Sequence, residues 1–351
     1  MTVINDNLVQ LVNNRMLHLT NTSIDEICPI GIIDFNQWEW PQGVGLYGMW
    51  KYYESTGNKA YLQYLNDWYD ERIQEGLPDK NVNTMAPMLT LACMAEKSGN
   101  AQHLALCKEW ALWVMEEMPR TEEGGLQHVV SGALNEQQLW DDTLFMTVLF
   151  LGKMGMLLGN EVYQEESYYQ FLLHTKYLLD RKTGLWFHGW SFEERENYAK
   201  ALWARGNCWI TAGIPEYIEI MSLTGAKKRY LSGVLTQQVK ALATLQRKSG
   251  MWNTLLDDPN SYEEASASAG FAYGILKGVR LGLLPQQYSA VGEKAVQGVA
   301  ACIEKDGTVR QVSYGTGMGH DLQHYHDIPI CPMAYGQSLT VLMLSEALYG
   351  L

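Results

Sequence analysis

RKTGLWFH, residues 181–188, returns as RKSGMWNT at residues 247–254. Each copy closes a charged, amphipathic segment and leads toward an apolar one. A near-literal repeat within one chain marks a repeated structural unit. Working outward, the same kind of loop recurs as EGLP (75–78), EEGGLQH (122–128) and EKDGTV (304–309). A tighter turn alternates with it: STGN (55–58), KSGN (97–100), LLGN (157–160), LTGA (223–226) and RLGL (280–283). Gly in such a turn supplies the left-handed residue that ends a helix. The unit is therefore a helical hairpin.

The spacing predicts first helices at 42–56, 82–97, 141–157, 205–223, 264–281 and 333–349. They are apolar almost all round, as helices surrounded by protein are. Second helices, charged on one face, are predicted at 59–74, 101–117, 162–180, 227–247 and 288–304. A helix over 3–18 completes a set of about twelve. Short alternating runs of strand type are nearly absent. The expected fold is all-α, an (α/α)6 barrel of two concentric rings. Residues 1–351 are expected to form one domain, since no Pro/Ser-rich linker divides them.

Composition narrows the function. Acidic residues outnumber basic ones, 39 to 26, for a formal charge of −13. That argues against nucleic acid or an anionic membrane surface as a partner. A small anionic ligand held by local cations is still compatible. The N-terminus lacks the basic start and apolar block of a secretory leader, and no apolar run is long enough to span a bilayer. The six cysteines (Cys28, Cys93, Cys107, Cys208, Cys302, Cys331) include no CxxC pair. Free thiols and a cytoplasmic location are the expectation. Twelve Trp and twenty Tyr against seven Phe favour flat apolar faces with polar handles, which suit sugars as well as helix packing.

Inner helices that run in one direction gather their N-termini at one mouth. The polar and aromatic segments of the chain fall there: NQWEWPQG (36–43), NVNTMAPM (81–88), QQLWDDT (137–143), ALWARGNCW (201–209), YEEASASAG (262–270) and GHDLQHYHDIPICPMAYG (319–336). Asp141 and Asp142 open the third inner helix. Adjacent helical residues point about 100° apart, so these two are not expected to share a proton. One caps the helix, the other projects into the mouth, and neither needs a dry core. Arg205 suits a carboxylate, which its guanidinium grips with two hydrogen bonds. His128 and His188 follow equivalent Gly loops. His320, His324 and His326 match no familiar metal spacing and are assigned to a loop; no metal is expected. GTGMG (315–319) lacks the preceding strand and following Lys of a phosphate loop.

QLWDDTLFM, WARGNCW, LWFHGW and WEWPQGVGLYGMWKYYESTGN together resemble glycoside hydrolase family 105, the unsaturated rhamnogalacturonyl hydrolases. That family is related to the unsaturated glucuronyl hydrolases of family 88. The resemblance runs from about Trp38 to the last helix. It implies the (α/α)6 barrel and release of a terminal 4,5-unsaturated uronic acid from lyase-generated oligosaccharides, such as those of pectin. The implied reaction is hydration of the C4=C5 double bond, with no cofactor. Asp142 matches the family's general acid/base, whereas the Asp141 position is commonly apolar. Trp203, Arg205 and His188 match residues of the cleft. Many members have Asp where Asn83 stands. Trp38, Trp40, His128, Trp140 and Trp209 complete the expected substrate site. The expected partner is a small oligosaccharide, bound by a monomer or homodimer.

Other readings are a conventional inverting glycosidase or sugar epimerase, with Glu39, Glu263 or Glu264 as a second acid, and a non-catalytic sugar-binding protein. An inverting glycosidase needs two carboxylates flanking the bond, whereas hydration of an enol ether needs one.

Overall fold

The computed structural model describes residues 3–19 and 34–350. Cys28 lies outside them; the other five cysteines are free thiols. Helix α1 spans Asp6–Leu17. Five hairpins follow: α2 (Trp40–Thr56) with α3 (Lys59–Glu75), α4 (Val82–Ser98) with α5 (Ala101–Glu116), α6 (Leu149–Leu158) with α7 (Glu161–Leu178), α8 (Ala204–Ile220) with α9 (Gly225–Leu245), and α10 (Ala265–Arg280) with α11 (Ser289–Ala300). A short α12 (Leu322–His326) precedes α13 (Ala334–Tyr349).

The helix boundaries follow from local chemistry. Asn58, Asn81, Asn100 and Asn160 each cap a helix by accepting hydrogen bonds from its first free N–H groups. Gly57, Gly99 and Gly159 end α2, α4 and α6 in the left-handed conformation. The chain then turns within two residues and starts the outward helix. In α8 the stop comes at Ile220, three residues before the expected end, and a left-handed Ser222 makes the turn.

The inner helices pack in a closed cycle: α2 on α4, α4 on α6, α6 on α8, α8 on α10, α10 on α13 and α13 back on α2. Each inner helix carries its own outer partner, and α1 covers α13. This is the (α/α)6 barrel, with its hydrophobic core between the rings. Both faces of the inner helices are covered, which explains their near-continuous apolar sequence. No helix among the described residues is long and apolar enough to cross a membrane.

Three features depart from the sequence reading. GHDLQHYHD contains the short helix α12 rather than only loop. Two small antiparallel pairs form at the mouth, β1 (Gln138–Trp140) with β2 (Gly189–Ser191) and β3 (Trp252–Asn253) with β4 (Glu263–Glu264). The third, a π-helical turn, occupies Leu144–Val148 at the head of α6. An extra residue per turn there re-aims the side chains beside it, and such turns gather at functional sites.

Candidate active site

A cleft of about 340 Å³ opens at the N-terminal mouth of the inner ring. Each inner helix from α2 to α8 sends a side chain from its first turn or flank: Trp40, Asn83, Asp142, Trp203 and Arg205. The loop after α5 adds His128, Val130 and Ser131, and the loop before α12 adds Gly315, Thr316 and Gly317. The hairpin topology places all of these at one end of the barrel.

Asp142 lines the cleft with its side chain one-fifth exposed. His188 Nε2 faces Asp142 Oδ2 at 3.6 Å. The tautomer of His188 follows from its other side. The Gly319 N–H donates to the Tyr325 hydroxyl at 3.0 Å, and that hydroxyl lies 2.8 Å from His188 Nδ1. This arrangement suits a phenol that donates to Nδ1, with the imidazole proton on Nε2, toward Asp142. Burial alone pushes the Asp142 carboxyl up. The facing His188, together with Asp141, outweighs it and holds Asp142 below the usual carboxylate range. Trp140 is enclosed by both histidines. His128 stacks on it at 4.1 Å between ring centroids, and His188 meets its edge at 5.1 Å. His128 is bonded to Thr143 Oγ1 at 2.8 Å, and burial pushes its pKa down to about 3, so it is neutral.

Asp141 contradicts the expectation for it. It is fully buried, and neither carboxylate oxygen has a hydrogen-bond partner. The reason is local. Asp141 is not helical: it continues strand β1, its N–H donating to the His188 carbonyl at 3.1 Å. The 100° divergence of helical neighbours does not apply across that junction. One atom each of Asp141, Asp142 and His188 lie within 4.8 Å of one another. Burial first, then the neighbouring Asp142 charge, drives the Asp141 carboxyl well above its usual range.

Arg205 lies in the cleft wall between two rings, 4.5 Å from the Trp203 centroid and 4.8 Å from that of Tyr335. Its fork is not open. Nη1 donates to Ser313 O and Oγ at 3.0 and 2.6 Å, and Nη2 to Tyr314 O at 2.5 Å. Arg205 therefore presents charge and a stacked face rather than a free pair of donors. Glu264, 3.9 Å from Arg205, caps α10 through the Ala267 N–H at 2.6 Å and accepts from Ser313 N at 2.8 Å. Its lone pairs are used in the framework. Glu263 bonds Ser249 at 2.6 Å, away from the cleft.

Glu39 does line the cleft, capping α2 and accepting from Ser131 Oγ at 3.0 Å. Burial raises its pKa more than its bonds to Ser131, Trp40 and Asn83 lower it. Three expected residues do not line the cleft: His188 is buried against Asp142, and two more lie in the core. Trp38 is in the core against Trp68 and Trp110, its Nε1 donating to Thr84 O at 2.8 Å. Trp209 is fully buried between Trp40 and Phe145. Trp40 itself faces the cleft, stacked on Tyr335 at 4.6 Å. The three histidines before α13 do not converge. His320 packs on Tyr198, His324 bonds Thr316 at 2.6 Å and His326 bonds Asp258 at 2.8 Å. The cleft residues missed in the sequence are Val130–Ala133 and Asn135, Met146 of the π-helical turn, and Gly315–Gly317; the Gly content of GTGMG is the one signal for the last group.

Known proteins resemble this chain in sequence and fold. The model of Glycosyl Hydrolase Family 88 matches residues 9–350. The unsaturated rhamnogalacturonyl hydrolase YesR of Bacillus subtilis (strain 168) is 33% identical over 314 residues, covering 89% of this chain and 90% of that protein. A crystal structure of a possible member of the GH105 family from Salmonella enterica serovar Paratyphi A has 47% identity and a TM-score of 0.94, covering 98% of this chain and 93% of that one. One from Klebsiella pneumoniae has 48% identity and the same TM-score, covering 97% and 92%.

Proposed function

The chain belongs to glycosyl hydrolase family 88, and on that premise we propose that it releases a 4,5-unsaturated uronic acid from the end of a small oligosaccharide, with unsaturated rhamnogalacturonan disaccharide as the preferred class. The observation that carries this reading is the cleft carboxylate Asp142, backed by His188 and facing stacked aromatic rings, while the other lining carboxylate, Glu39, is engaged as the cap of α2 and by Ser131. Cleavage by direct displacement uses two carboxylates about 5–9.5 Å apart, on either side of the bond. Glu264 is tied up as a cap, and Asp141 lies behind Asp142 rather than across from it.

The chemistry needs one proton donor. Asp142 gives a proton to C4 of the unsaturated ring. The π electrons form the C4–H bond, and positive charge develops at C5 and the ring oxygen. Water then adds to C5 and returns its proton to Asp142. The hemiketal opens, C1 becomes a hemiacetal, and its collapse expels the neighbouring sugar. Trp140 and Trp40 offer faces for the ring, and Asn83 and Glu39 offer groups for its hydroxyls. The buried guanidinium of Arg205 offsets the uronate charge, which a chain of net charge −13 otherwise repels. A cytoplasmic setting fits a substrate of disaccharide size.

The test is direct. Purified protein is mixed with a lyase-generated unsaturated disaccharide, and the ultraviolet absorbance of the conjugated double bond is followed. It is expected to decay as the free sugar appears. Turnover of the saturated disaccharide alone would point instead to a conventional glycosidase.

A further inference from the structure

Asp142 is held as a carboxylate, yet the reaction consumes a proton at C4. The proton has to be stored close by. We propose that Asp141 is the positioning partner that holds this proton, so that Asp141 and Asp142 act as one acid with a single shared proton. The inference rests on the hydrolase reading of the cleft.

Four observations place the proton on Asp141. Its side chain is wholly buried and both oxygens lack a donor. An ionised carboxylate so enclosed is far costlier than a neutral one. An oxygen of Asp142 and a ring nitrogen of His188 lie with it inside 4.8 Å, so the neighbour that gains from its proton is Asp142. The carboxyl is also fixed in place. Its backbone is tied to His188 O on one side, and its carbonyl accepts from Leu144 N at 3.3 Å on the other. Finally, the facing wall is cut to fit it. Asp141 lies on the Cα of Gly206 in α8, where a Cβ would stand 2.7 Å from Oδ1 and closer still to Oδ2.

The groups that face the pair from the packed elements do not compete for the proton. Burial brings His128 to about 3, so it is neutral, and lowers His188. Tyr325 and Cys208 keep their protons, because burial raises both. Arg205 stays charged. Glu39, on the cleft wall, is the other acid there that burial raises. In the reaction the proton shifts from Asp141 to Asp142 and on to C4. The pair is briefly ionised beside the C5 cation. Water bonds C5, and its proton returns to the pair, which ends as it began.

The experiment compares the wild type with Asp141→Asn, a near-isosteric change that can still donate a hydrogen bond but cannot release a proton. The pH profile of kcat on the unsaturated disaccharide is measured, and infrared spectra at neutral pH report protonated carboxyl groups. The alkaline limb of kcat is expected to move down by about one pH unit or more, since coupled acids titrate as a pair. Activity at neutral pH should fall about tenfold or more and recover in acid. A protonated-carboxyl band of the wild type should vanish. A lower kcat with an unshifted profile, or an unchanged band, would reduce Asp141 to packing and overturn the inference. Dependence of turnover on an added divalent ion would also overturn it, because the trio would then hold a metal. If Asp141→Asn does not fold, Gly206→Ala displaces the same carboxyl and is expected to shift the same limb. If the wild type leaves every unsaturated uronide intact but the band still depends on Asp141, the shared proton stands and the hydrolase reading falls.

Discussion

Helix α8 carries a buried charge site at each end, and the two are built on opposite rules. Near its C-terminus, ~16 Å down the axis from Arg205 at 1.5 Å per residue, Glu216 is fully buried and fully satisfied. It accepts from Lys277 Nζ at 2.6 Å, from the Tyr47 hydroxyl at 2.6 Å and from Tyr273. Lys277 reaches Glu219 as well, at 2.7 Å. Burial pushes the Glu216 pKa up, but Lys277 and Lys51 outweigh it and bring it to about 2. At the mouth, Asp141 is equally buried and has no donor. The floor of the barrel neutralises its acid with cations. The mouth neutralises its acid by keeping it protonated. A permanently ionised carboxylate can hold a structure together but has no proton to give, whereas the protonated one at the mouth is available to chemistry.

The strongest test of this contrast is Asp142→Asn. It should fold normally and lose about 10²–10⁴-fold in kcat, the usual worth of a positioned acid/base, with KM changed little. Steady-state kinetics and a thermal melt check both halves. The floor should behave in the reverse way. Lys277→Met leaves Glu216 buried without its main cation, which typically costs about 3–5 kcal/mol, while kcat per folded molecule stays near wild type. Denaturant titration measures the first and active-site-normalised kinetics the second. A large loss of kcat with unchanged stability would erase the distinction between the two ends.

A smaller effect is expected at the wall between them. Arg205→Lys keeps charge but loses the stacked fork and its bonds to Ser313 and Tyr314. Loss of charge-assisted hydrogen bonding costs roughly 1.5–3 kcal/mol. It should appear mainly in kcat/KM, as a drop of about tenfold to about a hundredfold. The smallest effect concerns stability and pH. The folded pKa of Asp141 is raised, so the folded state binds its proton more tightly than the unfolded chain, where Asp titrates near ~3.9. The stabilisation from that proton is full below ~3.9 and is lost as pH rises through the folded value. Asp141→Asn removes the dependence. Its Tm should equal or exceed that of wild type at neutral pH, with a flatter slope above ~4. An unchanged slope above ~4 would mean that Asp141 is ionised in the fold.

The barrel is legible in the sequence because its signals are local and repeated. Each Gly turn and each Asn cap acts within a few residues, so the positions of the main helices can be read within a few residues of the observed ones. The mouth is legible for the same reason, since helix polarity alone brings QQLWDDT, ALWARGNCW and NVNTMAPM together. What stays hidden depends on contacts between distant segments. Trp38 and Trp209 have the composition of sugar platforms, but the packing of α3, α5 and α6 takes them inside. The fork of Arg205 looks free in the sequence, and only the fold brings Ser313 and Tyr314 to it. Asp141 reads as a helical cap because nothing local reveals the pairing of β1 with β2 that pulls it out of the helix.

The contact between Asp141 and Gly206 also restricts how this sequence can change. An acid at 141 in its present position and a side chain at 206 cannot coexist: one of them has to shift. Alanine at 206 is open only to a chain that has already shortened or turned away residue 141. An acid at 141 takes up this position only in a chain that has glycine at 206. The two positions, far apart along the chain, therefore form an epistatic pair in which the order of substitution decides which histories are viable. A pairwise library at the two positions should show the penalty of Gly206→Ala vanish when residue 141 is small.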